Sequence, residues 1–314
     1  MNVFVLGATG YIGSVVAEKL QQAGHRVVGL ARSAASAEAL EARGIQPVRG
    51  SLESPDVLTR AARAADAVVQ AAFTQEGHDF VASVAVERTA VRVLLRALEG
   101  TGKALVVTSG TAVLGDTGDR VFDEDTPIVR PEPDASAGAG NAALRALGER
   151  LAMEKEVLGA SGVRGIVLRP PNVYGRSDGQ SVLTMLRRAG RTLGAVPYAP
   201  GTAEHRWSFV HVDDLAHLYL LALEGAKAGE LFHAGAEIGL RTRAIAEAVS
   251  HQLGLGGATV ELELPALGEA LGAPPMAPYW ASNSQSSGEK ARRVLGWRPE
   301  HTRMLDEVAR RASV

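Results

Sequence analysis

The sequence predicts an α/β chain: a doubly wound parallel sheet with helices on both faces, followed by a smaller C-terminal lobe. Three observations carry that prediction. Short apolar runs alternate with helical stretches up to about residue 168. The runs are apolar throughout, as strands covered on both faces are. A glycine-rich turn joins the first run to the first helix.

The runs lie at 3–6, 27–30, 67–69, 104–107 and 165–168. Between them, apolar residues three and four apart mark helices over 80–98 and 144–158. Ser54-Pro55-Asp56 reads as an N-cap followed by proline at the first helical position. After Arg169 the alternation stops. Helices are expected near 181–189, 214–223 and 242–253, a strand around 230–234, and a short helix over 287–295. Residues 1–168 therefore form one domain to which 206–234 return, and 169–205 with 235–314 form a substrate-binding lobe. Ligands of open α/β sheets bind beyond the carboxyl ends of the strands, which is where such a lobe must sit. The stretch 115–140, rich in Gly, Pro and acids, reads as a long mobile loop of the functional kind.

Composition narrows the function classes. The 314 residues are 46% apolar and 22% charged, enough for a sizeable core. The net charge is −2 with Lys and Arg spread along the chain, so no nucleic-acid or anionic-membrane partner is indicated. Without cysteine there is no disulfide, thiolate metal site or cysteine nucleophile, and no His, Asp or Glu spacing suggests a metal centre. The chain opens directly on its first strand and no apolar run approaches membrane-span length, so a soluble cytoplasmic protein is expected.

The glycine turn reads Gly7-Ala8-Thr9-Gly10-Tyr11-Ile12-Gly13. Gly7 permits the tight turn, Gly10 lets the backbone approach a diphosphate, and Gly13 lets helix and strand pack closely. The helix start supplies N–H donors and a positive dipole end. With a strand before it and a second strand at the right interval, the motif predicts a dinucleotide site in a Rossmann domain. At the end of the second strand stand Arg32 and Ser33 in place of an acid. A guanidinium pairs with a 2′-phosphate where a carboxylate would repel it, so NADP(H) is favoured over NAD(H).

Several segments in order resemble the extended short-chain dehydrogenase/reductases. They are the glycine turn, Ala71-Ala72, Thr108-Ser109-Gly110-Thr111, Leu168-Arg169-Pro170-Pro171-Asn172-Val173-Tyr174-Gly175, Phe209-Val210-His211-Val212-Asp213-Asp214, and Leu295-Gly296-Trp297-Arg298-Pro299. Within that family the chain is similar to an epimerase/dehydratase-like branch. The resemblance implies that Gly7, Thr9, Gly10, Tyr11, Ile12 and Gly13 hold the diphosphate and that Ser51 and Leu52 flank the adenine. Ala71, Ala72, Phe73 and Thr108 would line the cleft, and Pro170, Asn172 and Val173 would approach the nicotinamide. It also implies a small-molecule substrate and a homodimer formed through helices 80–98 and 141–158.

At the catalytic centre the chain departs from the family. The family pattern is a Tyr-x-x-x-Lys pair plus a hydroxyl beyond the fifth strand, the tyrosine moving the substrate proton. None of the five tyrosines here has lysine four residues on. Registering the helix on Gly148-Glu149-Arg150-Leu151 puts Asn141 in the tyrosine slot and Arg145 in the lysine slot. Arg145 can keep a ribose contact, whereas the Asn141 amide does not titrate. Gly110 falls in the hydroxyl slot, flanked by Ser109 and Thr111. Tyr174 is the expected substitute phenol; His205, Arg206, Trp207 and His211 are substrate-side candidates, and His233 a further proton-transfer candidate. Three functions compete on these residues. One is hydride transfer between NADP(H) and a carbonyl or hydroxyl carbon. A second is a regulator resembling the NmrA-like sensors, without turnover. The third is non-redox isomerisation, epimerisation or cyclisation in the same cleft.

Overall fold

The computed structural model describes residues 1–73, 80–128, 138–176, 179 and 181–310, apart from the side chains of 138–141 and 275. Residues 129–137 of the expected 115–140 loop lie outside the described residues. The strands are β1 (Asn2–Leu6), β2 (Arg26–Ala31), β3 (Gln46–Arg49), β4 (Ala67–Gln70), β5 (Ala104–Thr108), β6 (Arg164–Arg169), β7 (Asn172–Tyr174), β8 (Val196–Tyr198), β9 (Arg206–His211), β10 (Glu230–His233), β11 (Glu237–Arg241) and β12 (Thr259–Glu261). The helices are α1 (Tyr11–Gln22), α2 (Ala34–Glu41), α3 (Pro55–Ala64), α4 (Phe80–Leu98), α5 (Gly138–Leu158), α6 (Val182–Leu193), α7 (Val212–Gly225), α8 (Thr242–Gln252), α9 (Leu264–Leu271), α10 (Ala277–Trp280), α11 (Glu289–Leu295) and α12 (Met304–Arg310).

Seven strands form one parallel sheet in the order β10-β6-β5-β4-β1-β2-β3. The chain runs outward from β1 to β3, then crosses back to β4 on the other side of β1. That reversal opens a crevice at the carboxyl ends of β1 and β4, where ligands bind in open sheets. β1 shows why both faces fill. Val3 and Val5 join the cluster built on α1 and α7, whereas Phe4 and Leu6 join that of α3, α4 and α5. Each of these side chains is fully buried and contributes about 1.5–3 kcal/mol.

The expected strands and helices up to residue 168 are all present. β3 was not anticipated. It carries Pro47 and lies at the sheet edge, where a missing N–H costs no ladder bond. Ser54 heads α3, but its hydroxyl accepts from the Ser51 N–H (3.1 Å) and makes no cap bond to the helix.

β9 lies between β11 and β7 in a three-stranded sheet, β8 pairs with β12, and α7 and β10 return to the main sheet. The C-terminal tail is locked to α7 by a second buried residue set. Trp297 Nε1 donates to the Asp214 carbonyl (2.9 Å), and the Asp214 carboxylate accepts from the N–H groups of Glu300 and His301 (2.9 Å each). Among the described residues, no helix is long and apolar enough to cross a membrane.

Candidate active site at the carboxyl ends of the strands

The crevice between β1 and β4 is built from close backbone approaches. Gly7 has φ +84°, and a Cβ there would stand 2.7 Å from the Ala71 carbonyl oxygen. A Cβ on Gly13 would overlap the Gly7 carbonyl, so α1 can pack this close only on glycine. α1 begins at Tyr11 behind Gly10, with no side-chain cap at Gly10 and no acid in its first turn, and a helix start presents its first N–H groups along the axis. Arg43 braces the turn from behind, donating to the carbonyls of Ala8 (3.2 Å) and Ser14 (2.5 Å). The Tyr11 hydroxyl donates to the Gly175 carbonyl (2.9 Å), tying the turn to the segment after β7.

The β4 side is fixed by a buried polar set. Gln70 Oε1 accepts from the Ala72 N–H (2.6 Å), and its Nε2 donates to the Ala72 carbonyl (3.0 Å) and to Glu87 (3.3 Å). Arg150 grips Glu87 with two bonds of 3.0 and 3.1 Å and lies 4.6 Å from the Phe73 ring centre. Burial raises the Glu87 carboxyl above its usual range, and the adjacent Arg150 charge opposes that. Ala71, Ala72 and Phe73 thus form a rigid wall whose support comes from α4 and α5.

At the ends of β5 and β6 the backbone closes differently. The Ser109 and Thr111 N–H groups donate to the carbonyls of Leu168 (2.7 Å) and Pro170 (3.0 Å). The Ser109 hydroxyl is buried with no hydrogen-bond partner among the described residues, and Thr111 Oγ1 has none of good geometry, although the Tyr279 hydroxyl faces it. Below them, Arg169 holds Glu154 through three contacts of 2.5–3.2 Å and lies 3.2 Å from His233 Nε2. Burial, with the Arg169 charge beside it, pushes His233 down to about 3. His233 is therefore a neutral core residue at neutral pH.

Residues 281–287 run as an extended strap between β9 and the segment 116–122. The Ala281 carbonyl accepts from His205 Nδ1 (2.7 Å) and the Ser282 carbonyl from Trp207 Nε1 (2.8 Å). Asn283 Oδ1 accepts from the Arg206 N–H (2.8 Å). Ser284 exchanges backbone bonds with Arg206 and Ser208, and the N–H of Phe122 donates to the Gln285 carbonyl (3.0 Å). Tyr279 and Trp280 precede this strap, and the Tyr279 ring stacks on Trp207 at 6.4 Å and 20°.

The expected site residues divide. Gly7, Thr9, Gly10, Tyr11, Ile12, Gly13, Ala71, Ala72 and Phe73 border the one crevice, and Ser109, Thr111, Pro170 and Asn172 meet at the ends of β5 and β6. Val173, half-buried, packs on the core under α7. The Thr108 hydroxyl is committed to the Gln70 carbonyl (2.7 Å) and the Tyr219 hydroxyl (2.5 Å). Ser51 Oγ accepts from the Glu53 N–H (3.2 Å) beside buried Leu52. Arg145 is exposed on α5; Asn141 lies on the same helix with its side chain outside the described residues. Tyr174 is buried in the C-terminal core, its hydroxyl donating to the His301 carbonyl (3.4 Å). His211 caps α7 by accepting from the Asp213 N–H (3.2 Å) and stacks on His301 at 3.8 Å. His205 and Trp207 anchor the strap, and Arg206 contributes its backbone while its side chain is exposed. Tyr279, Ser284, Arg43 and Gln70 were not anticipated. Gln70 ends β4 directly before Ala71-Ala72, whereas the other three come from segments without a motif, and only the strap's polar, apolar-poor sequence offered a signal.

The comparisons agree with this architecture. The model of the NAD dependent epimerase/dehydratase family matches residues 3–235. The uncharacterized protein C2A9.02 of Schizosaccharomyces pombe is 31% identical over 310 residues, covering 98% of each chain. A 3-diazoavenalumate denitrifying reductase from Streptomyces sp is 29% identical over 99% of this chain and 100% of its own. In shape, the chain is similar to the UDP-glucose 4-epimerase of Thermus thermophilus in complex with NAD. The TM-score is 0.72, with 24% identity, 98% of this chain and 97% of that one covered. Four further structures of this fold also hold NAD.

That finding corrects the expected preference for NADP(H), and with it the NADP(H)-dependent form of the hydride-transfer reading. The structure supplies a physical reason. The Ser33 hydroxyl, the second donor a 2′-phosphate would need, caps α2: it accepts from the Ser36 N–H (3.1 Å) and donates its own proton to Ser36 Oγ (3.2 Å). Arg32 is exposed beside it.

Proposed function

Because the chain belongs to the NAD dependent epimerase/dehydratase family, we propose that it is an NAD-dependent oxidoreductase or epimerase-like enzyme acting on a hydroxyl- or carbonyl-bearing carbon of a small molecule. The observation that carries this reading is the start of α1: uncapped, free of acids in its first turn, and set by Gly7 and Gly13 against the β4 end at the crossover of the sheet. These residues fit a dinucleotide. The N–H groups of Ile12 and Gly13 would hold the diphosphate, with Thr9 and Tyr11 beside it. Ser51 and Leu52 would border the adenine, and Arg32 and Ser33 the ribose next to it. Ala71 to Phe73 would wall the cleft, and Arg145 would reach the second ribose. Pro170, Asn172 and Val173 would flank the nicotinamide, which supplies or takes the hydride when bound.

In this reading the chain's own contribution is positional and electrostatic. The wall held by Gln70, Glu87 and Arg150 orients the cofactor, and the hydroxyls past β5 polarise the reacting oxygen. Calorimetric titration tests it: NAD⁺ binds saturably and more tightly than NADP⁺. No heat with millimolar NAD⁺, or clear preference for NADP⁺, would overturn it.

A further inference from the structure

A phenol stands at the ends of β5 and β6, but it is Tyr279 and not the expected Tyr174. The Tyr279 hydroxyl lies 3.3 Å from Ser284 Oγ, and the Thr111 and Asn172 side chains complete its polar surroundings. Thr111 and Asn172 each stand three residues beyond the end of one of those strands, and the Ser109 hydroxyl, just past β5, is buried. The ring is fixed on both sides, stacked on Trp207 and edge-on to Trp280 at 5.0 Å and 68°. The strap's hydrogen bonds to β9 and to the segment 116–122 set its height in the cleft.

We propose that Tyr279 is the proton-transferring catalytic residue of this site, taking the part that Asn141 on α5 cannot play. The inference rests on the NAD-dependent function proposed above. In the reducing direction the carbonyl carbon accepts a hydride from NADH while its oxygen takes the Tyr279 proton. The C=O π bond breaks, C–H and O–H bonds form, NADH becomes NAD⁺, and the phenolate recovers a proton from water. The oxidising direction reverses each step. Burial raises the Tyr279 phenol above its usual value, keeping it a proton donor at neutral pH. None of its polar neighbours, Ser284, Thr111 and Asn172, carries a charge.

That placement has a consequence that needs no substrate. A cationic nicotinamide ring beside the phenol favours the phenolate, whereas the neutral ring of NADH does not. Calorimetry of NAD⁺ binding between about pH 8 and 10, near the tyrosine range, in two buffers of different ionisation enthalpy, counts the protons released. Wild type releases a fraction of a proton with NAD⁺ and none with NADH. Tyr279→Phe abolishes the release while holding NAD⁺ affinity to within about twofold, and Tyr174→Phe retains it. Equal release by wild type and Tyr279→Phe, or NAD⁺ binding without release by wild type, overturns the assignment. Failure of every protein to bind NAD⁺ overturns the cofactor reading itself, and this assignment with it.

Discussion

The two ends of the cleft are built in opposite ways. The end proposed for the diphosphate is local: residues 7–13 and 71–73, following neighbouring strands, make it from backbone, with glycines at the points where a side chain cannot fit. The end beyond β5 and β6 is assembled from afar. Thr111, Asn172 and the pair Tyr279 and Ser284 come from three distant stretches, and a strap of buried Asn283, Ser284, Gln285 and Ser286 holds them together. A backbone site needs little beyond a turn and a helix start. A side-chain site needs a rigid frame, and here that frame is polar and buried, held by hydrogen bonds to β9 and to the segment 116–122.

Substitutions at each end sharpen this contrast. The largest effect belongs to the distant end: Tyr279→Phe should lower turnover by about 10²–10⁴-fold, read as NADH oxidation with a panel of aldehydes and ketones. Cofactor affinity should stay intact, separating the two ends. Beneath that end, Glu154→Ala leaves Arg169 buried without its carboxylate and should destabilise the fold by about 3–5 kcal/mol, measured by denaturant unfolding. A loss under about 1 kcal/mol would mean that Arg169 finds water or another partner.

The local end responds in affinity. Gly7→Ala forces a side chain into φ +84° against the Ala71 carbonyl and should weaken NAD⁺ binding about tenfold or more, checked by calorimetry. A further effect is one of pH. His233 is held neutral in the fold, near 3, whereas the unfolded chain protonates it below 6.5. Its stabilisation is complete above 6.5 and is lost as pH falls towards 3. The difference in unfolding free energy between wild type and His233→Gln should therefore slope by up to about 1.4 kcal/mol per pH unit in that window. A flat difference would show that His233 is protonated in the folded chain.

The same division explains what the sequence disclosed. The parallel sheet, α4 and the glycine turn follow from periodicity and from residues that act on their immediate neighbours. β10, α7 and α8 were legible for the same reason. Tyr174 looked well placed because it follows the Asn172-Val173 segment, yet strand alternation turns it into the core beside Phe209 and His211. Arg32 suggested a phosphate, but its neighbour Ser33 is committed to a helix cap, a pairing that depends on Ser36 three residues on. Tyr279 could not be found from spacing, since the strap that presents it has neither strand nor helix periodicity and its partners lie from 5 to 168 residues away.

A crystal structure of the protein with NAD⁺ bound tests the account most directly. It should show the diphosphate on the N–H groups at the start of α1 and the nicotinamide ring between Thr111, Asn172 and the Tyr279 hydroxyl. A diphosphate seated elsewhere, or a nicotinamide ring out of hydrogen-bonding range of that cluster, would contradict it.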